Sequence, residues 1–259
     1  GAAHRPADPR ETELQAISSA FKALRHLRAG QVSNGAPVAS VDPALCTGCA
    51  NCVEPCPFDA IAMLQRAEAV DLAQIDPMLC TGCGNCVVVC PVKAISQPVD
   101  SDAQVLAQIE AALCSRNGGN PSGLQRPEGF ATVRPLRILV LGCEWSGHAA
   151  AELAGANKLS YPVETRLIRL RCSARFDPIH ILWALVNGAD GVFLSACAPG
   201  ECHYIDGNRY AQQRIATLSE LLAANGFDPR RLRLEWIVPD DPRDFVKKVS
   251  SFTELVAKL

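Results

Sequence analysis

Aromatic residues are scarce in this 259-residue chain: they make up 5% of it, with only three Trp, alongside two Met. A core built from such a sequence must be filled by aliphatic side chains and alanine, and the 48% hydrophobic content is enough to do so. No apolar run approaches the roughly 20 residues that span a bilayer, so direct membrane insertion is not expected. The stretch 142–147 has neither the Lys-Ser/Thr ending of a phosphate loop nor a G-x-G-x-x-G turn, which excludes the common nucleotide and flavin cradles there. No Ser-His-Asp elbow and no paired-carboxylate motif stands out, so nothing marks a substrate site of the chain's own. The net charge of −2 points to no nucleic-acid partner. The segment 1–13 is polar and Pro-rich without an apolar stretch, so a cytoplasmic setting with reduced thiols is the expectation. The first residue is Gly rather than Met, which fits a processed, trimmed or partial chain.

Cysteine is abundant, with thirteen in all. In a reducing setting, clustered cysteines point to metal rather than to disulfides. Cys46, Cys49, Cys52 and Cys56-Pro57 follow C-x₂-C-x₂-C-x₃-C-P, and Cys80, Cys83, Cys86 and Cys90-Pro91 follow it again. This is the bacterial two-cluster spacing, in which the fourth cysteine ligates the other cluster. Two 4Fe–4S clusters are therefore expected, one on Cys46, Cys49, Cys52 and Cys90, the other on Cys80, Cys83, Cys86 and Cys56. Three thiolates in one tight loop reach one cubane, and the fourth starts a helical turn aimed at the second site. Gly48 and Gly82 are expected to let the backbone approach each cluster and aim N–H groups at its sulfurs. Zinc ribbons need only two cysteine pairs at long separation, and two runs of four ending in Pro fit them poorly.

The cysteine runs lie in an internal repeat, Val41-Asp-Pro-Ala-Leu matching Ile75-Asp-Pro-Met-Leu, so residues 41–98 read as one small α+β domain built twice. Before it, 9–28 reads as an amphipathic packing helix with Asp8 as N-cap and Glu11 completing a capping box, within an N-terminal segment 1–40 that ends in a linker. After it comes a connector, 99–134, with a helix over 102–113 and a loop over 115–135. Residues 135–259 alternate strands and helices: strands at 136–141, 164–170, 191–195 and 232–238, and helices at 149–156, 178–187, 208–225 and 243–259. That alternation implies an α/β doubly wound parallel sheet.

Cys114 in the connector reads as a spare thiol. Cys143, Cys172, Cys197 and Cys202 form no C-x-x-C pair, but each follows a strand of the expected sheet. The carboxyl edge of an open α/β sheet is where sites form. Four thiols meeting there suit one 2Fe–2S cluster; four buried apolar cysteines are the alternative. His203 and His148 are the candidates for a Rieske-type pair, with a position beside the site the other reading of His203. Arg166, Arg169, Arg171 and Arg175 either favour a reduced cluster beside Cys172 or line a solvated edge.

The stretches Cys143-Glu-Trp, Tyr161-Pro, Arg171-Cys-Ser, Gly188-Ala-Asp-Gly-Val, Pro199-Gly-Glu-Cys-His-Tyr and Gly207-Asn resemble the delta subunit of methyl-viologen-reducing hydrogenase. The resemblance implies one 2Fe–2S cluster that passes electrons between hydrogenase and heterodisulfide reductase. Where that family usually reads Cys-x-Trp-Cys, Ser146 stands at the second cysteine, leaving four cysteines for four ligand positions. The segment around Arg5-Pro-Ala-Asp-Pro-Arg-Glu, its helix and the two-cluster domain resemble the C-terminal part of the flavoprotein subunit of heterodisulfide reductase. The combination is also similar to the B subunit of the quinone-interacting membrane-bound oxidoreductase. The expected function is one-electron relay inside a multi-subunit complex, with a flavoprotein, hydrogenase, formate dehydrogenase or heterodisulfide reductase-like partner. The alternatives are the C-terminal part of a flavin-dependent oxidoreductase, a ferredoxin joined to a cluster-free interaction domain, and a structural zinc protein.

Overall fold

The computed structural model describes residues 8–29, 37–65, 70–113 and 136–259. Cys114, the loop 115–135, the start of the linker and the segment before Asp8 lie outside the described residues. The chain divides into two compact units, 1–36 and 37–259.

The first unit is the helix α1 (Pro9–Ala29). Asp8 caps it as the sequence implies, accepting the Glu11 N–H at 2.8 Å. Leu14, Ile17, Phe21, Leu24 and Leu27 lie at the helical spacing that the sequence implies. Among the described residues of this unit, no second element is present to cover them.

In the second unit, the repeat forms two short antiparallel pairs, β1 (Ser40–Val41) with β4 (Ile95–Ser96) and β2 (Ile61–Leu64) with β3 (Leu72–Ile75). A single helical turn, α2 (Asn85–Val89), lies between β3 and β4. The interior is small: Ala39, Ile61, Ala73, Val87, Ala94 and Ile95 pack around the cysteines themselves. So few apolar side chains form a thin core for a folded module of this kind.

The helix α3 (Asp102–Leu113) has the bounds the sequence implies, but it is not a bare connector. Val105, Ile109 and Leu113 are buried in the core of the sheet domain. That sheet comprises β5 (Ile138–Cys143), β6 (Thr165–Leu170), β7 (Gly191–Ala196) and β8 (Leu232–Trp236), in the spatial order β6-β5-β7-β8, with every pairing parallel. The side chains of β5 alternate: Leu139 and Leu141 face α3, α5 (Pro178–Val186) and α6 (Gly207–Ala224), while Ile138 and Val140 face α4 (Ala149–Ala156) and α7 (Pro242–Val256). Helices thus cover both faces, as the strand–helix alternation implies. The chain leaves β5 towards β6 and then returns past β5 to β7, so the strand order reverses between β5 and β7. That reversal opens a crevice at the carboxyl ends of the strands, the usual place for a site in open α/β sheets.

Candidate metal centres

Ferredoxin cysteines line two separate cavities. Cys46, Cys49, Cys52 and Cys90 line one, and Cys56, Cys80, Cys83 and Cys86 line the other. In each, the fourth cysteine comes from the opposite repeat. Desolvation raises the Cys52 thiol, lifts Cys83 to about 11 and pushes Cys86 higher still. Buried thiols of this kind become thiolates only when a cation compensates the charge. Thr81 Oγ1 is buried without a protein partner beside Cys80, leaving a donor free at that cavity.

The two loop glycines also make room for neighbouring chain segments. Gly48 and Gly82 do adopt left-handed φ values of +71° and +73°. A side chain there would strike the Asp71 carbonyl at 2.6 Å or Pro37 at 2.7 Å. The glycines therefore let neighbouring chain segments close over the loops, and Gly82 lines the cavity of the second run.

At the sheet edge, Cys143 ends β5, Cys197 directly follows β7, Cys172 lies two residues beyond β6, and Cys202 returns through the turn after β7. The strand ends differ from the sequence reading: β5 runs to Cys143 rather than to residue 141, because the parallel ladder continues to the pair Cys143–Leu170. Cys143 and Cys197 consequently flank the crevice between β5 and β7, with their sulfurs 3.8 Å apart. Cys143 and Cys202 each interact with both Cys172 and Cys197, so the four sulfurs gather in one ring at the sheet edge. Their mutual interactions push Cys143 and Cys202 below the usual thiol range and Cys172 and Cys197 above it. Four thiolates packed this closely require positive charge among them.

Three further observations test the fit of an iron–sulfur group here. Gly207 opens α6 against this ring, and a Cβ on it would come within 2.5 Å of Cys172 Sγ. Ser146 Oγ and Ser173 Oγ, beside Cys143 and Cys172, are buried without a protein partner. Among the described residues, no group of three or more His, Cys, Asp or Glu side chains is arranged to hold a single metal ion. This absence concerns sites in which every ligand lies close to one atom, about 2.3 Å for zinc and sulfur. It does not bear on a cluster, whose thiolates bind different irons.

His203 does not enter the ring. It stacks on Trp145 with ring centroids 3.6 Å apart, and Trp145 Nε1 donates to Tyr204 Oη at 3.4 Å. His148 lies 3.8 Å from Glu152, so the two histidines do not converge as a Rieske pair. The four arginines also separate. Arg166 is exposed and bonds backbone carbonyls, and Arg169 pairs with Glu144 at 3.0 Å. Arg175 is fully buried, and Arg171 donates its backbone N–H to Asp100 Oδ2 at 2.8 Å.

Sequence reasoning missed how closely the ferredoxin module meets this edge. Phe58 and Cys83 pack against Cys172, Ala174, Tyr204 and Cys202. Lys93 Nζ pairs with Asp177 Oδ2 at 2.5 Å, and the same Asp177 carboxylate caps α5 through the Ile179 N–H. Buried Arg175 bonds Asp102 and the Asp100 carbonyl, and His180 Nε2 lies 3.2 Å from the same Asp102. His180 and the arginine together hold the Asp102 carboxyl far below the usual carboxylate range. Gly84, at φ +81°, leaves room for Arg175, whose Cδ would lie 2.8 Å from an added Cβ. One-letter spacing carried no sign of these contacts.

Comparison with known proteins matches the family model described as methyl-viologen-reducing hydrogenase, delta subunit, over residues 138–259, and a 4Fe–4S dicluster domain over residues 45–94. The iron–sulfur D subunit of the F(420)-non-reducing hydrogenase of Archaeoglobus profundus is 39% identical over 122 residues, which are 47% of this chain and 89% of that protein. The chain belongs to the hydrogenase delta-subunit family. Its delta-subunit domain begins with β5 and carries all four strand-end cysteines. Nearly the whole chain, 98%, is also similar to the A subunit of the ferredoxin:CoB-CoM heterodisulfide reductase of Methanosarcina mazei, at 36% identity over 257 residues. The A subunit of the ferredoxin/F(420)H(2)-dependent CoB-CoM heterodisulfide reductase of Methanosarcina acetivorans matches at the same identity and coverage. The chain thus resembles the heterodisulfide reductase A subunits, and it spans 29% of the length of each of these two relatives. Among the described residues, no helix is long and apolar enough to cross a membrane.

Proposed function

We propose that this chain relays single electrons through two 4Fe–4S clusters and one 2Fe–2S cluster inside a heterodisulfide reductase-like complex. Cys46, Cys49, Cys52 and Cys90 hold one cubane, Cys56, Cys80, Cys83 and Cys86 the other, and Cys143, Cys172, Cys197 and Cys202 the 2Fe–2S cluster. The observation that carries the reading is the ring of four strand-end sulfurs packed through Cys83 and Phe58 against the second ferredoxin cavity. The clusters supply the electron chemistry when bound. The chain's own residues set the spacing, keep water from the buried thiols and place charge near them. The partners are further redox subunits, a flavoprotein together with hydrogenase or heterodisulfide reductase subunits such as the names of its relatives give, in a cytoplasmic setting. The domain limits proposed are 1–40, 41–98, 99–134 and 135–259.

Anaerobic iron and acid-labile sulfide analysis tests the reading. About ten irons per chain are expected, as four, four and two. A reproducible value near eight removes the strand-end cluster and leaves a ferredoxin joined to an interaction domain.

A further inference from the structure

Arg214 stands in the seam between the ferredoxin loop and the strand-end sulfurs. It projects from α6 about two turns beyond Gly207. Its Nη1 donates to Asn85 Oδ1 at 2.8 Å, and its Nη2 donates to the Ala174 carbonyl at 2.6 Å. Asn85 is itself buried between Cys83 and Cys86, and its Nδ2 donates to the carbonyl of Pro55, the residue before Cys56, at 3.0 Å. On the other side, the Ala174 N–H points at Cys172 Sγ, 3.4 Å away. A hydrogen-bonded path therefore runs from the neighbour of Cys56, through Asn85 and Arg214, to the residue that touches the Cys172 sulfur. Arg214 Nε is buried without a partner, and the charge lies near Cys172, Cys83 and Asp177 and near the buried Arg175 cation. Burying a guanidinium with one donor unused is costly, so pure packing would favour an apolar side chain here.

We propose that Arg214 is a positioning residue that couples the second ferredoxin cluster to the strand-end cluster. Its fork spans the two loops, fixes their separation and sets one positive charge between them. The assignment rests on the three-cluster reading, in which both sites hold clusters. Each cluster becomes more negative on reduction, so a cation shared by both favours the reduced form of each. In the exchange, one electron leaves one cluster and enters the other; no bond or proton moves, and the cation serves either charge distribution. Lysine keeps the charge but lacks the rigid fork that bridges two acceptors. The two contributions, charge and bridge, can thus be separated by substitution.

Redox titration of the full chain, purified anaerobically and followed by EPR, tests this with Arg214→Gln and Arg214→Lys. In the Gln variant, the reduced-to-oxidised ratio of both centres at fixed potential should fall at least tenfold, which is about 59 mV for a one-electron couple. The Lys variant should keep near-native ratios while losing the spin–spin broadening between the two reduced centres. Unchanged ratios in the Gln variant overturn the proposal, as do equal shifts in the Gln and Lys variants, which mark a merely structural arginine. If the Gln variant sheds a cluster, the Lys variant decides alone: native ratios with weakened broadening support the coupling, and shifted ratios with native broadening overturn it. A native chain with no strand-end signal overturns both this inference and the three-cluster reading. A native chain with that signal but inert variants overturns this inference only.

Discussion

Cys143 Sγ lies 3.8 Å from Cys197 Sγ across the crevice between β5 and β7, although the two residues are 54 apart in sequence. Cys172 adjoins Cys143 and Cys202, and Cys202 also adjoins Cys197, so removing any one sulfur opens the set. Cys172→Ala is expected to abolish the 2Fe–2S EPR signal and leave both 4Fe–4S signals intact. Ser146→Ala should leave all three, because four cysteines already meet the ligand count and thiolate is the softer donor for iron. A 2Fe–2S signal that survives Cys172→Ala would show that the ring is not its ligand set.

Crossed ligation makes a sharper demand on the ferredoxin module. Cys56 belongs by sequence to the first run, yet it lines the cavity of Cys80, Cys83 and Cys86. Cys56→Ala should therefore alter the signal of the second cluster, in low-temperature EPR of the reduced variant. A change confined to the cluster of Cys46, Cys49 and Cys52 would refute the crossed arrangement.

Gly207 offers a test that removes no ligand. The Cβ of Gly207→Ala would sit within 2.5 Å of Cys172 Sγ and 3.0 Å of Ala174 Cβ. Backbone at the first position of α6 cannot retreat without moving the helix. Loss of most of the 2Fe–2S iron is expected, with the eight ferredoxin irons retained and helix content near native by circular dichroism. Full 2Fe–2S occupancy in this variant would mean that the ring sits elsewhere than the structure places it.

Asp102 ties the module seam to pH. Its hydrogen bond from His180, together with Arg175 and Lys93, holds the folded carboxyl well below its ordinary value of 3.8. A group depressed in the folded state contributes stability that is present above its unfolded pKa and lost as pH falls towards its folded one. The difference in urea midpoint between the native chain and Asp102→Asn should be constant at neutral pH and shrink progressively below about pH 4. Acid damage to the clusters affects both chains alike and cancels in the difference. A difference that stays constant down to about pH 2 would assign the stabilisation to another group.

Much of this molecule was legible in its sequence, because the signals are local. The two cysteine runs lie within single loops, where three ligands can reach one cluster whatever the rest of the chain does. The bounds of α3 and α4 follow from short-range periodicity, and the cap of α1 from Asp8 alone. The strand-end cysteines were readable only after the parallel sheet had been inferred, since nothing in their spacing pairs them. Tertiary structure decided what those elements do together. Sheet order set Cys143 and Cys197 on either side of the reversal between β5 and β7. Packing sank α3 into the sheet domain. Arg214 reached Asn85 across 129 residues. Sequence periodicity reports which face of an element is apolar; it carries no information about which distant element covers that face, or which buried charge will lie between two sites. Those choices arise from long-range packing and desolvation, which act only once the chain has closed on itself.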